Sequence, residues 1–88
     1  MSYDGLSHES LKVAKRKTIG IKETRKALER GEVRVVYIAR DAEEHVVRGL
    51  KEMCNQKGIP IVHVETMAQL GKACGIEVGA ASAAILRE

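Results

Sequence analysis

Apolar positions along the chain alternate between helical and extended rhythms. In "IKETRKALER", Ile21, Thr24, Ala27 and Leu28 share one face at helical spacing, with Gly20 opening the segment and Gly31 placed to stop it at the C′ position. "VRVVYIA", Val33 to Ala39, is instead nearly continuous in β-branched and apolar residues, the pattern of a strand covered on both faces. Helices are therefore predicted on both sides of it. Asp41 and Glu44 have capping-box spacing for a third helix, with Val46, Val47, Leu50, Met53 and Cys54 as its buried stripe and Gly58 at its end. "IPIVHV" reads as another strand. Thr66 and Gln69 form a second capping box, for a short helix ending at Gly75, and "AASAAIL" reads as a last strand whose small residues admit close helix packing. Upstream, Ser7 is placed to cap a first helix running to Arg16, with Leu6 and Leu11 as its hydrophobic staple, and a short extended "KTI" links that helix to Gly20.

A strand, a crossover helix and a second strand imply a right-handed parallel unit. The expected fold class is α/β, a three-layer α/β/α sandwich with a central mixed sheet of about four strands. At 88 residues the chain is expected to form one domain, 1–88, burying roughly 60 to 65% of its extended surface. Apolar residues at 44% and charged residues at 31% exclude a disordered or membrane-spanning chain. "MSYDGLSHESLKVAKRKTIG" holds no apolar run resembling a secretion signal, so a cytoplasmic protein, monomeric at this small size, is expected. Cys54 and Cys74 read as small buried hydrophobes in a reducing compartment. His8, His45 and His63 show no ligand spacing, so neither a metal nor a cofactor is expected.

Formal net charge is only +3, but its distribution is uneven. Between Lys12 and Lys26, seven cations face one acid, Glu23, so this window carries +6 and the remaining 73 residues carry −3. Lys22, Arg25 and Lys26 fall in the first two turns of the second helix, where the macrodipole is already positive. Cations there cost the free protein a few tenths to about 1 kcal/mol each, and an anion at the helix start would reverse that sign. The alternative is a solvated cationic face with no ligand. Glu23 argues for more than phosphate, because a carboxylate accepts from donor groups on base edges, although stabilisation of the helix dipole would also account for it. The chain has no Phe or Trp, and of its two tyrosines Tyr37 lies in a buried strand, which excludes an aromatic platform for single strands. A distorted RNA helix fits better.

Two segments together, "GIKETRKALERG" from Gly20 to Gly31 and "LGKACGIEVGAA" from Leu70 to Ala81, resemble the kink-turn RNA-binding family of ribosomal proteins L7Ae and L30e, and within it the small bacterial ribosome-associated members. The resemblance extends over the chain after Ser7. It implies an α/β/α sandwich, no catalysis, and a structured RNA partner, a kink-turn with tandem G·A pairs, ribosomal RNA among the candidates. It places Gly20, Ile21, Lys22 and Glu23 against the G·A pairs, Lys26 on the RNA backbone with Arg25 nearby, and Ile76, Glu77 and Val78 in a loop that covers a flipped-out nucleotide. Lys22 stands where many relatives have asparagine; lysine donates but cannot accept, which alters selectivity among kink-turns. Met67 stands where several relatives place a cation.

Gly75 and Gly79 would give that loop its backbone freedom, though a helix cap plus a tight turn, with Ile76 and Val78 in the core, fits the same residues. Gly71, Gly75 and Gly79 also spell GxxxGxxxG, but Lys72 and Glu77 argue against a membrane interface. The competing functional class is a protein-interaction module that docks an acidic partner through the basic helix start and the Ile76–Val78 loop.

Overall fold

The computed structural model describes residues 10–87, and its elements run α1 (Ser10–Val13), β1 (Lys17–Ile19), α2 (Ile21–Glu29), β2 (Val33–Ala39), α3 (Glu44–Lys57), β3 (Ile61–Val64), α4 (Met67–Cys74) and β4 (Ser82–Leu86). The strands form one mixed sheet in the order β1-β4-β2-β3. β2 and β3 are parallel, from Val36 opposite Ile61 to Ala39 opposite Val64, as a strand–helix–strand crossover requires. β4 runs antiparallel to both of its neighbours, β1 and β2.

β2 explains the three layers. Its register against β4 slips between Val33 and Val35, leaving Arg34 as the extra, exposed residue of a bulge. Val33 therefore joins Val36 and Ile38 on one face, while Val35, Tyr37 and Ala39 point to the other. The first face packs against Ala27 and Leu28 of α2 and Val47, Leu50 and Cys54 of α3. The second packs against Leu11 of α1 and Leu70, Ala73 and Cys74 of α4. Ala83 and Ala84 of β4 are fully buried between these layers, so the small side chains let a helix approach each face of the sheet near its middle.

Helix ends follow the glycines. At the end of α2, Gly31 has φ +73°, its N–H donates to the Leu28 carbonyl at 3.0 Å, and the Glu32 N–H donates to the Ala27 carbonyl at 3.1 Å. This is a Schellman closure, which satisfies carbonyls the helix leaves open. At the start of α4 the Thr66 side chain accepts the Gln69 N–H at 3.0 Å, as the capping-box spacing predicts.

Two expectations are corrected. The first helix ends at Val13 instead of Arg16, because the Arg16 carbonyl already accepts the Leu86 N–H at 3.0 Å and the chain is committed to the sheet. Lys17 Nζ donates back to the Leu11 carbonyl at 2.9 Å, closing the short helix. The proposed Ser7 cap and the Leu6 side of the staple lie outside the described residues. The Asp41–Glu44 capping box does not form either: α3 begins after Glu43 with no side-chain cap. Asp41 Oδ1 instead accepts the Met67 N–H at 2.8 Å, serving an open amide of α4.

Both cysteines are buried and free. Burial pushes the Cys54 thiol up to about 11 and raises that of Cys74 as well, against a smaller opposing pull from the charge of Lys17. At pH 8 both thiols stay protonated in the folded chain. Iodoacetamide labelling followed by mass spectrometry should therefore be slow in native buffer and rise with the urea unfolding transition; fast labelling without urea would contradict this packing.

Candidate nucleic-acid interface

The site is assembled by the β1–β4 ladder. Ile19 pairs with Ala83, and the next residue, Gly20, donates its N–H to the Ser82 carbonyl at 2.8 Å. Gly20 has φ +98°, a conformation that side chains resist, and acts as N-cap of α2 without a side-chain hydrogen bond. Across β4, the Ala39 N–H donates to the Ala81 carbonyl at 3.0 Å. The start of α2 and the loop of residues 76–81 are thereby fixed at one end of the sheet.

On α2, Lys22, Glu23, Arg25 and Lys26 are exposed, and Ile21 is half-buried against the core shared with α3. Thr24 is fully buried, its hydroxyl 2.9 Å from that of Thr18 on β1, which locks the helix to the ladder. Lys22 and Lys26 are four residues apart and so lie along one face. Lys26 Nζ stands 4.0 Å from Glu23 Oε2, a solvent-open contact worth about 0–1 kcal/mol, which leaves both groups available to a ligand. Arg25 reaches toward α3, where its Nη2 would lie 3.7 Å from a Cβ at Gly49, so it stands at the flank of the site.

The loop divides into an anchor and a tip. Gly75 closes α4 with φ +85°, and Ile76 turns back, half-buried, onto the core beneath α4. Glu77 is exposed, and Val78 is 71% exposed, a large apolar side chain presented to solvent. Backbone contacts hold this tip. A Cβ at Gly71 would collide with the Val78 carbonyl oxygen, one at Gly79 would lie 3.1 Å from Met67 Cβ, and the Ala80 N–H donates to the Met67 carbonyl at 3.0 Å. The glycine spacing in α4 and the loop thus marks close approach between two parts of this chain. Asp41 completes the clamp by holding the Met67 N–H.

Ser82 carries no signal of its own in sequence, and the capping-box spacing at Asp41 points to a different helix from the one it serves. Ser82 is fully buried on β4 opposite Ile38, facing the helix layer that contains α2, and its hydroxyl finds no hydrogen-bond partner within the described residues. Only the ladder register shows that it lies beneath the start of α2. Among the described residues, no group of three or more His, Cys, Asp or Glu side chains gathers to hold a metal ion, and no helix is long and apolar enough to cross a membrane.

The model of the ribosomal protein L7Ae/L30e/S12e/Gadd45 family matches residues 7–88. The chain belongs to this family. An RNA-binding protein of Caldanaerobacter subterraneus subsp. tengcongensis is 55% identical to this family member over 69 residues, 78% of this chain and 84% of that protein. The large ribosomal subunit protein eL8 of Halobacterium salinarum is 47% identical over 83 residues, 89% of this chain and 68% of its own. Among solved structures, the Giardia lamblia 15.5kD RNA binding protein has a TM-score of 0.80 at 30% identity, covering 100% of this chain and 79% of that one. The α/β/α architecture of this L7Ae-family chain is shared with that neighbour.

Two substitutions test the geometry in the free protein. Gly71→Ala should destabilise by about 1–3 kcal/mol, lowering Tm by roughly 5–20 °C, because the backbone of α4 and the loop must part to admit a methyl group. Lys22→Glu, at the second residue of α2, should raise stability in urea by a few tenths to about 1 kcal/mol by complementing the helix dipole. A neutral effect of the first, or a loss of stability in the second, would show that these local contacts are misjudged.

Proposed function

We propose that this L7Ae-family chain is a non-enzymatic, cytoplasmic RNA-binding protein that recognises and stabilises kink-turn RNA as a monomer, in association with the ribosome or on a regulatory RNA. The observation that carries the reading is the Gly20–Ser82 hydrogen bond of 2.8 Å, which sets the cation-rich start of α2 beside an apolar loop tip. One element supplies charge and a base-edge acceptor, the other a cover for an unstacked base. The names of the relatives support RNA as the ligand, and that of eL8 supports the ribosomal setting.

In this reading Gly20 lets the RNA approach the helix start without a side chain in between, and Ile21 seats that turn on the core. Glu23 accepts from amino groups of the G·A pairs, and Lys22 donates to guanine O6 or N7 or to phosphate. Lys26 and Arg25 contact the RNA backbone, Arg25 from the flank. Val78 packs on a flipped-out base, with Glu77 beside it and Ile76 as the anchor that holds the loop in place.

The test is a titration of a kink-turn duplex against the same duplex with its G·A pairs replaced. Tighter binding to the first is expected, and equal affinity for both would refute specific recognition. Within that assay, Glu23→Ala should weaken kink-turn binding by roughly 1–3 kcal/mol with little change in salt dependence, whereas Lys26→Ala should reduce the salt slope by about 1. The reverse pattern would mean that the two roles are exchanged.

A further inference from the structure

The seven cations between Lys12 and Lys26 separate in the fold. Lys22, Arg25 and Lys26 go to α2, which also carries Glu23 and Glu29. Lys12, Lys15, Arg16 and Lys17 go to α1, β1 and the turn between them, and α1 packs in the same layer as α4, whose one charged residue is Lys72. Residues 10–19 and 67–74 therefore hold five cations and no carboxylate. Of the nearby acids among the described residues, Asp41 is engaged with the Met67 N–H and Glu65 with Arg40 at 3.4 Å, and Glu77 is exposed at the loop tip; Glu9, next to Ser10 in sequence, lies outside the described residues. Two of the five cations serve the fold: Lys17 Nζ bonds the Leu11 carbonyl, and Arg16 Nη1 bonds the Arg87 carbonyl at 2.8 Å. Lys12 and Lys72 have no such role among the described residues; with Gln69 and Ala73 they line a cleft of about 150 Å³ between α1 and α4.

We propose that this cleft is a second RNA-backbone site, in which Lys12 and Lys72, with the Gln69 carboxamide, take phosphates of a helix flanking the kink. The inference rests on the RNA-binding reading above and extends the contact surface to the far side of the loop from α2. Every polar side chain lining the cleft carries a donor, and the two ammonium groups add charge that only an anion offsets. Lysine heads are mobile point charges without the planar fork that reads base edges or carboxylates, which suits sequence-independent phosphate contact. Continuity with the first site supplies the path: Lys72 precedes Gly75 by three residues, about 4.5 Å along the α4 axis, and the loop bearing Val78 begins there. A strand leaving the loop tip meets Lys72 within a few nucleotides.

The test compares the wild type with Lys12→Gln/Lys72→Gln on a minimal kink-turn, on the same kink-turn with both flanking helices lengthened, and on the lengthened RNA with its G·A pairs replaced. On the minimal RNA the variant should match the wild type. On the lengthened kink-turn its salt slope should be shallower by about 2, so that its affinity deficit shrinks by about tenfold between 50 and 200 mM salt, and Lys12→Arg/Lys72→Arg should restore the wild-type slope. Equal slopes for wild type and Gln variant on the lengthened RNA would overturn the proposal, as would cleft-dependent retention of a polyglutamate peptide without any effect on RNA. Failure of the kink-turn reading would look different: the wild type would not distinguish the two lengthened RNAs, while the variant's slope would still decide the cleft.

Discussion

The pairing of β1 with β4 is the constraint on which the candidate interface depends. β1 is only three residues long, yet its register against β4 determines that Gly20 meets Ser82. Bringing together segments so distant in sequence costs chain entropy that grows slowly with loop length, and the burial of β4 between two helix layers offsets it. β4 can occupy that central position because alanines at 83 and 84 leave room on both faces. The small residues of the last strand are thus part of how the site is made, although none of them is exposed to touch a ligand.

A second set of backbone contacts decides what the loop can do. Gly71 lies against the Val78 carbonyl, Gly79 against Met67, and Ala80 bonds the Met67 carbonyl, while Asp41 holds Met67 from the opposite side. The loop tip is tied to a helix at three points and is anchored in the core by Ile76. A tip held in this way loses less conformational freedom when a base packs against it than a free loop would. The exposure of Val78 is then the consequence of a backbone that has no freedom to bury it.

Much of this was legible from residue patterns. The continuous apolar run of β2, the helical stripe of α2 and the glycines at 31, 58 and 75 give the layers and the helix ends directly. The pairing partner of the last strand was not legible, because a run of small residues fits an edge strand or a central one equally. The destination of Asp41 was hidden for a related reason: capping-box spacing describes a local possibility, and an open amide on α4, 26 residues away in sequence, takes the carboxylate instead. In the site, the exposed cations of α2 could be read from helical spacing, but Ile76 and Val78 look alike in sequence, and only the turn after Gly75 sends one inward and the other outward. Charge was the least legible property, since one basic window supplies two different layers.

Departures from local rules gather at this end of the molecule. α2 begins with a glycine at positive φ and places lysine at its second position, and beneath that turn Ser82 buries a hydroxyl that finds no partner among the described residues. The other end keeps the rules: Lys57 sits in the last turn of α3, where the dipole is negative, and Schellman hydrogen bonds close α2 at Gly31. A fold of marginal stability, about 5–15 kcal/mol, tolerates a few unfavourable contacts of about 1 kcal/mol each, but selection for stability alone gives no reason for them to cluster. Binding gives such a reason, because a polyanion at the start of α2 turns the cost of Lys22 and the open helix amides into attraction. The basic layer of α1 and α4 shows less local conflict: its cations lie off the positive end of α2, and two of its neighbours in sequence, Arg16 and Lys17, already bond backbone carbonyls of the free chain, so this charge is carried at little cost before any ligand arrives.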